Sequence, residues 1–257
     1  MAILAFHSIE NRSSFGINNY KPSLFKELSE HLKTTHYGIC TLDEYLNADD
    51  VSHKLCFTFD DGYKSFIEVV FPILNEFSIP ASVFIPAGMV GRKNSWEYSS
   101  FLCPREHLSA HDIRYLADLG VEIGSHGHSH IALTTLSDRF LRMELEKSKR
   151  ILEDIAGRSV DYISYPFGRV NMRVEAMAMQ AGYNRGFSLA RLPGGQYRFT
   201  LRRSAIYGWD TPYSVSIKAG GESLRAVEQF KEKVINFYSG GTILLNRLRG
   251  KNLPITD

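Results

Sequence analysis

Two adjacent carboxylates end one apolar run, and three histidines end another. Lys54-Leu-Cys-Phe-Thr-Phe-Asp-Asp-Gly62 passes from a strand candidate straight into Asp60 and Asp61. Neighbouring carboxylates can divide the work, one binding a cation while the other stays available as a base. The plain alternative is a turn, since Asp-Gly is a frequent turn pair, and the segment by itself does not choose between them. Val121-Glu-Ile-Gly-Ser-His-Gly-His-Ser-His130 puts three of the chain's nine histidines within five residues. His126 and His130 are four apart, which lets two imidazoles converge on one ion if the chain turns after the strand. His128 would then point elsewhere. A histidine-rich surface loop is the weaker reading at a strand end. Together the two segments offer a carboxylate and two imidazoles, a set suited to Zn²⁺ or a similar divalent ion with one position open to water. Such an ion acidifies water and polarises a carbonyl, and a second carboxylate nearby can take the proton, which is the equipment for amide hydrolysis. The same ligand set also serves non-haem iron oxygenases, so the ligands alone leave the reaction open.

The elements that must position these groups are read from hydrophobic period. Short apolar runs at 3–6, 38–41, 55–59, 81–85, 121–124, 162–165, 184–188, 201–206 and 242–245 read as strands, several of them continuously apolar as buried parallel strands are. Segments of helical period lie between them, at 22–33, 63–77, 110–119, 138–156, 171–181 and 223–238. Pro22 opens the first in its first turn. Ser137 and Gly157 bracket the 138–156 helix as N-cap and C′ residue, and Leu141, Leu145, Leu152 and Ile155 form its apolar stripe. Strand and helix in alternation predict a parallel sheet. Seven or eight such units in this length point to a closed α/β barrel, whose chemistry lies at the C-terminal ends of its strands. Asp60 and His126 both fall there. Tyr162-Ile-Ser-Tyr-Pro-Phe-Gly168 is a third strand entering a turn. A backbone N–H there, such as that of Phe167, could face a developing oxyanion, although taken alone the segment is an ordinary strand end.

Composition sets the outer bounds. The 257 residues are 44% hydrophobic, enough for a large core, and the net charge of +2 gives no electrostatic footprint for nucleic acid. No repeat or linker divides the chain, so residues 1–257 are expected to form one barrel domain. No run approaches the ~20 apolar residues of a membrane span. The start, Met-Ala-Ile-Leu-Ala-Phe-His-Ser, lacks the basic n-region of a signal peptide. Cys40, Cys56 and Cys103 are few and odd in number, which argues against a disulfide framework and leads us to expect a cytoplasmic protein.

Thr58-Phe-Asp-Asp-Gly62, His126-Gly-His-Ser-His130 and Ser164-Tyr-Pro-Phe-Gly168, in this order, resemble the polysaccharide deacetylase family, carbohydrate esterase family 4 with its NodB homology domain. The similarity runs from about Ile3 to about Ile206, and the Tyr-Pro-Phe-Gly form resembles the branch that includes poly-N-acetylglucosamine deacetylases. The resemblance implies a distorted (β/α)7-type barrel of parallel strands. It implies Asp61, His126 and His130 as metal ligands, Asp60 as catalytic base and the Phe167 N–H as oxyanion donor. The implied cofactor is a divalent ion, Zn²⁺ first, with Co²⁺, Ni²⁺ or Fe²⁺ as substitutes. The implied reaction is removal of an N-acetyl group from an amino sugar, with release of acetate.

Two departures from the family pattern matter. Many members carry an arginine at the position of Ser164, where it buttresses the base; Arg203 could supply that charge from another strand, against the alternative of a solvated strand arginine. The family's usual C-terminal Leu-x-His is absent, and the counterpart strand reads Thr242-Ile-Leu-Leu-Asn246. His7, closing the first strand, stands where the resembling branch carries a Tyr-His pair, as if the barrel were circularly permuted, and is the candidate general acid. The alternative for His7 is a structural hydrogen bond. Trp96, Tyr98 and Phe101 are candidates for a substrate wall, though core packing explains such residues more often. Trp209 and Asp210 could shape the pocket. The rival functions are an O-acetyl esterase or another amidase on the same barrel, and a glycan-binding barrel without catalysis.

Overall fold

A computed structural model of the chain describes residues 2–11, 18–93, 104–189 and 197–219. The predicted helix at 223–238 and strand at 242–245 lie outside the described residues, as do Trp96, Tyr98, Phe101 and Cys103.

The barrel strands are β1 (Ala2–Phe6), β5 (Lys54–Phe59), β6 (Ala81–Ile85), β7 (Glu122–Ser125), β8 (Tyr162–Ser164), β9 (Arg185–Ser188), β10 (Thr200–Arg202) and β11 (Ser204–Ala205). They lie side by side in the order β10-β9-β8-β7-β6-β5-β1-β11, every pair parallel. A short β4 (Gly38–Ile39) joins the start of β5, and β2 (Ser8–Ile9) pairs with β3 (Asn19–Tyr20) outside the barrel. The helices are α1 (Pro22–Lys33), α2 (Leu42–Leu46), α3 (Phe71–Glu76), α4 (Ala110–Asp118), α5 (Asp138–Ala156), α6 (Met172–Gln180) and α7 (Pro212–Ala219). The fold is a parallel-stranded, nearly closed α/β barrel.

The expected strand at 201–206 is broken in two. Arg203 alone separates β10, paired with β9, from β11, paired with β1. The barrel therefore closes through a covalent link and not through a complete hydrogen-bond ladder. The expected helix at 63–77 also differs: Phe66–Val70 is π-helical and runs directly into α3. Pro72 has no N–H to give to an α-ladder, and a wider turn just before it is one way to accommodate that loss. Helix α5 has the expected bounds, and Gly157 ends it at φ 67°, the left-handed C′ conformation open to glycine. Ser137 stands at its N-cap without a side-chain cap bond.

Alternating side chains of the strands divide the apolar residues into two clusters. Leu4, Phe6, Leu55, Phe57, Phe59, Val83 and Ile85 pack outward against the helices. Ile3, Cys56, Phe84 and Phe187 form a smaller cluster inside the barrel, together with Cys40 and Leu42. Gly124 faces Phe84 across β6 and β7, and a Cβ there would lie 2.4 Å from the ring. Glycine is thus needed for the interior Phe84 to fit. Cys40 and Cys56 are free and buried, with sulfurs 3.8 Å apart; burial raises both thiol pKa values.

Candidate active site

Asp60, the turn at 126–130 and Phe167 all follow strand ends on one rim of the barrel, with His7 after β1. Asp60 N–H donates to Phe6 O at 2.8 Å and His126 N–H to Ile85 O at 2.9 Å, so each ladder continues one residue past its strand and fixes the side chains that follow. Asp61, His126 and His130 offer ligand atoms that lie within 4.8 Å of one another, and all three residues are buried. Nε2 of His126 and of His130 stand 3.6 Å and 3.2 Å from Asp61 Oδ1. Nδ1 of His126 is 2.7 Å from Ser164 O, which assigns its proton to Nδ1 and leaves Nε2 with a lone pair toward Asp61. This is the carbonyl-oriented imidazole that metal sites use.

The backbone is held in an uncommon conformation at these points. Among the described residues four non-glycines have positive φ, and three of them are Asp61 (70°), His130 (52°) and Phe167 (60°). Left-handed non-glycine residues cost about 1–2 kcal/mol each, and such outliers gather where a site must be pre-set. Phe167 lies in the first turn of a 3₁₀ segment, Pro166–Gly168, where backbone N–H groups have no intrahelical acceptor. Its ring lies 4.8 Å from that of His130. His7 and Phe167 are half-buried whereas Asp60, Asp61, His126 and His130 are buried, so the first pair forms the accessible side of the cluster.

Asp60 sits in a second, interlocking set of bonds. Arg203 reaches it with both terminal nitrogens, Nη1 to Oδ1 at 2.9 Å and Nη2 to Oδ2 at 2.6 Å. Nη1 also donates to Thr58 Oγ1 and Nη2 to Ser164 Oγ, while Ser164 Oγ donates to Asp60 Oδ2 at 3.1 Å. The guanidinium lies over Phe84 at 5.1 Å, resting on the interior cluster. Arg203 is 2% exposed, which excludes the solvated strand arginine. Burial by itself would raise the Asp60 pKa; the Arg203 charge and hydrogen bond, with the nearby imidazoles, outweigh it and hold the carboxyl below the ordinary carboxylate range. Asp61 is likewise lowered, since the bond and charge of His130 and the charges of His7 and His126 outweigh its burial. His7 Nδ1 is buried with no hydrogen-bond partner among the described residues, so no structural bond accounts for that nitrogen.

The residues fit a cation. Asp61 Oδ1 is a buried carboxylate oxygen facing two imidazole nitrogens. Burial lowers the His126 pKa to about 4, so the ring is neutral near pH 7 and able to coordinate. His128 is not in the cluster; its ring lies against Gly88. Asp210 is buried, accepting from Tyr207 N–H at 2.9 Å and from Lys218 Nζ at 2.8 Å, and so folds the loop that leaves Trp209 exposed.

Two supporting residues have no counterpart in the sequence reading. His107 Nδ1 is 2.7 Å from the carbonyl oxygen of Asp61, and Leu108 N–H donates to Gly62 O, so the segment before α4 clamps the turn after β5. Glu144 of α5 accepts the N–H groups of His128 and Ser129. Only Glu144 left a trace in the sequence. It and Ser148 lie at positions 3 and 7 beyond Leu141, on the helix's apolar stripe, where a polar residue must have a partner.

Fold and site together define a parallel-stranded α/β barrel with a buried Asp-His-His cluster at its rim. The family profile described as polysaccharide deacetylase matches residues 48–186, and the chain belongs to the polysaccharide deacetylase family. It is 27% identical over 194 residues to the putative polysaccharide deacetylase YxkH of Bacillus subtilis, covering 72% of this chain and 63% of that protein. It is also 27% identical over 192 residues to a poly-beta-1,6-N-acetyl-D-glucosamine N-deacetylase of Staphylococcus aureus, covering 69% and 64%. The chain thus spans a little under two thirds of the length of these relatives. Among solved structures, the deacetylase PplD of Streptococcus pyogenes in complex with acetate aligns with a TM-score of 0.72 at 20% identity over 84% of this chain and 96% of that one. IcaB from Ammonifex degensii aligns with a TM-score of 0.71 at 21% identity over 85% and 96%.

Proposed function

We propose that this chain is a metal-dependent N-deacetylase of acetylated amino sugars in a glycan or glycan precursor. The observation that carries the reading is the buried Asp61-His126-His130 cluster with Asp60 fixed beside it by Arg203. The named activity of the Staphylococcus aureus relative supports an N-acetylglucosamine polymer as the substrate class.

Asp61, His126 and His130 would hold a divalent cation, Zn²⁺ by the chemistry of its ligands. When bound, such an ion supplies Lewis acidity and acidified water. Asp60 accepts the proton of the attacking water. Its lowered pKa keeps it ionised near neutral pH, and Arg203 keeps its orientation. The water oxygen adds to the acetamide carbonyl carbon, and the N–H of Phe167 donates to the oxyanion that develops there. His7 protonates the amine nitrogen as its bond to that carbon breaks, giving acetate and a free amino sugar.

The test measures acetate release from β-1,6-linked and β-1,4-linked N-acetylglucosamine oligomers and from an O-acetylated sugar, with the metal content of the same sample determined. Release from an N-acetyl substrate, abolished by a chelator and restored by Zn²⁺ or Co²⁺, is the expected result. Fully loaded protein that frees acetate from none of the N-acetyl substrates would overturn the reading, and release from the O-acetyl sugar alone would make the protein an esterase.

A further inference from the structure

We propose that Glu144 is a positioning residue that sets the turn carrying both candidate imidazole ligands. It acts from helix α5, outside the ligand set, and rests on the metal-site reading above.

Glu144 is 2% exposed, with the His128 ring as its electrostatic neighbour. A buried carboxylate is costly unless hydrogen bonds satisfy it. Its partners are backbone groups: Oε2 accepts His128 N–H and Ser129 N–H, each at 2.9 Å, while Oε1 has no partner. Those two residues lie between His126 and His130. The turn they form is bracketed by Gly127 at φ 74° and His130 at φ 52°. Consecutive backbone N–H groups that point to one spot form a concavity that binds an anion. Here the anion is a side chain of the same protein.

The remaining contacts of the turn do not replace this one. Gly127 O and His128 O accept from Ala87 and Gly88 N–H at 3.0 and 2.8 Å, which ties the turn to the segment after β6. Ser148, one helical turn beyond Glu144, bonds Ser125 Oγ, which in turn accepts Gly127 N–H at 3.2 Å. These bonds fix the entry of the turn. The N–H groups of His128 and Ser129 both converge on Glu144, so its loss loosens the turn that leads into His130, whose Nε2 stands 3.2 Å from Asp61 Oδ1.

Both bonds go to one oxygen, so the amide oxygen of Gln can reproduce them without the charge. Full-length Glu144→Gln, Glu144→Ala and Leu141→Ala are compared with the wild-type chain. The readouts are the Zn²⁺ and Co²⁺ dissociation constants by chelator competition, the visible spectrum of the Co²⁺ form, and the melting temperature without metal. Glu144→Ala is expected to weaken metal binding about 10–100-fold and to alter the Co²⁺ spectrum. Glu144→Gln is expected to stay within about threefold of wild type with an unaltered spectrum, given one intact acceptor oxygen. Leu141→Ala, a core truncation in the same helix, is expected to lower the melting temperature while leaving the spectrum intact. Wild-type affinity in Glu144→Ala, or equal losses in Glu144→Ala and Leu141→Ala, would overturn the assignment. So would a Gln variant as weak as the Ala variant, because charge and not the staple would then be responsible. A wild-type chain that takes up no cation would bring down the metal reading and this inference with it.

Discussion

Asp60 and Arg203 form a buried, bidentate ion pair directly beside the candidate metal cluster. Removing one partner of such a pair strands the other charge, at a cost of roughly 3–5 kcal/mol. The two residues are therefore expected to fail differently. Asp60→Asn keeps the ligands and should retain metal while turnover falls about 10²–10⁴-fold, the range general-base catalysis supplies. Arg203→Lys keeps the charge but loses the fork, so turnover should fall at least about tenfold, or 1.4 kcal/mol. Without the fork Asp60 is held down less firmly, and a base with a higher pKa ionises only at higher pH. The acid limb of kcat/KM should accordingly move to higher pH in Arg203→Lys, and an unmoved limb with wild-type rates would remove Arg203 from the mechanism. The carboxylates and the four-residue histidine spacing were legible in the sequence because each is carried by one short segment. Arg203 came into view only through the arginine missing at Ser164. His107 was illegible because its partner is a backbone carbonyl 46 positions away, and no pattern of side chains along the chain encodes that contact.

Helices and strands were legible where their periods were strong. Helix α5 has the bounds its stripe and Gly157 imply. The exceptions share a cause: the local pattern was right, but the barrel required a break. Residues 201–206 were expected to form one strand, yet β9 and β1 each claim part of it, and the junction at Arg203 turns its side chain onto Phe84 and Asp60. The stretch at 66–70 has helical period and still widens to a π-turn just ahead of Pro72. Gly124 has a similar origin. In the sequence it is a weak strand residue, but in the barrel it is the space that Phe84 occupies, with a Cβ 2.4 Å from the ring. Gly124→Ala is therefore expected to destabilise the fold by about 1–3 kcal/mol, as overpacking does. Because Phe84 supports Arg203, the variant should also lose activity beyond its loss of stability. A urea midpoint unchanged from wild type would show that the interior can absorb the methyl group and that Phe84 is not a rigid support.

The rim charges bear on the stability of the whole metal-free chain through the protons they bind. Burial lowers His107 and His126 to about 4, against an ordinary histidine value near 6.5. Between those limits the unfolded chain binds protons at both positions and the folded chain does not. Stability then rises with pH, by at most roughly 1.4 kcal/mol per pH unit for each ring, and is lost as pH falls from 6.5 toward 4. Asp60 and Asp61, both lowered, add a loss of the same sign below the ordinary aspartate range. Chelator-treated protein unfolded in urea at pH 7, 6 and 5 should therefore show a falling midpoint. His107→Asn preserves an amide donor for the Asp61 carbonyl but does not titrate, so it should lose about half of that slope. Zn²⁺ binds the folded chain and adds about 2.7 kcal/mol at a hundred times its dissociation constant, but acid displaces it because the imidazoles must be neutral to coordinate. The loaded protein should consequently be more stable at pH 7 and converge on the metal-free curve as the pH falls. A metal-free midpoint that stays level from pH 7 to 5 would contradict neutral, buried imidazoles at the rim, and with them the ligand set on which the deacetylase reading rests.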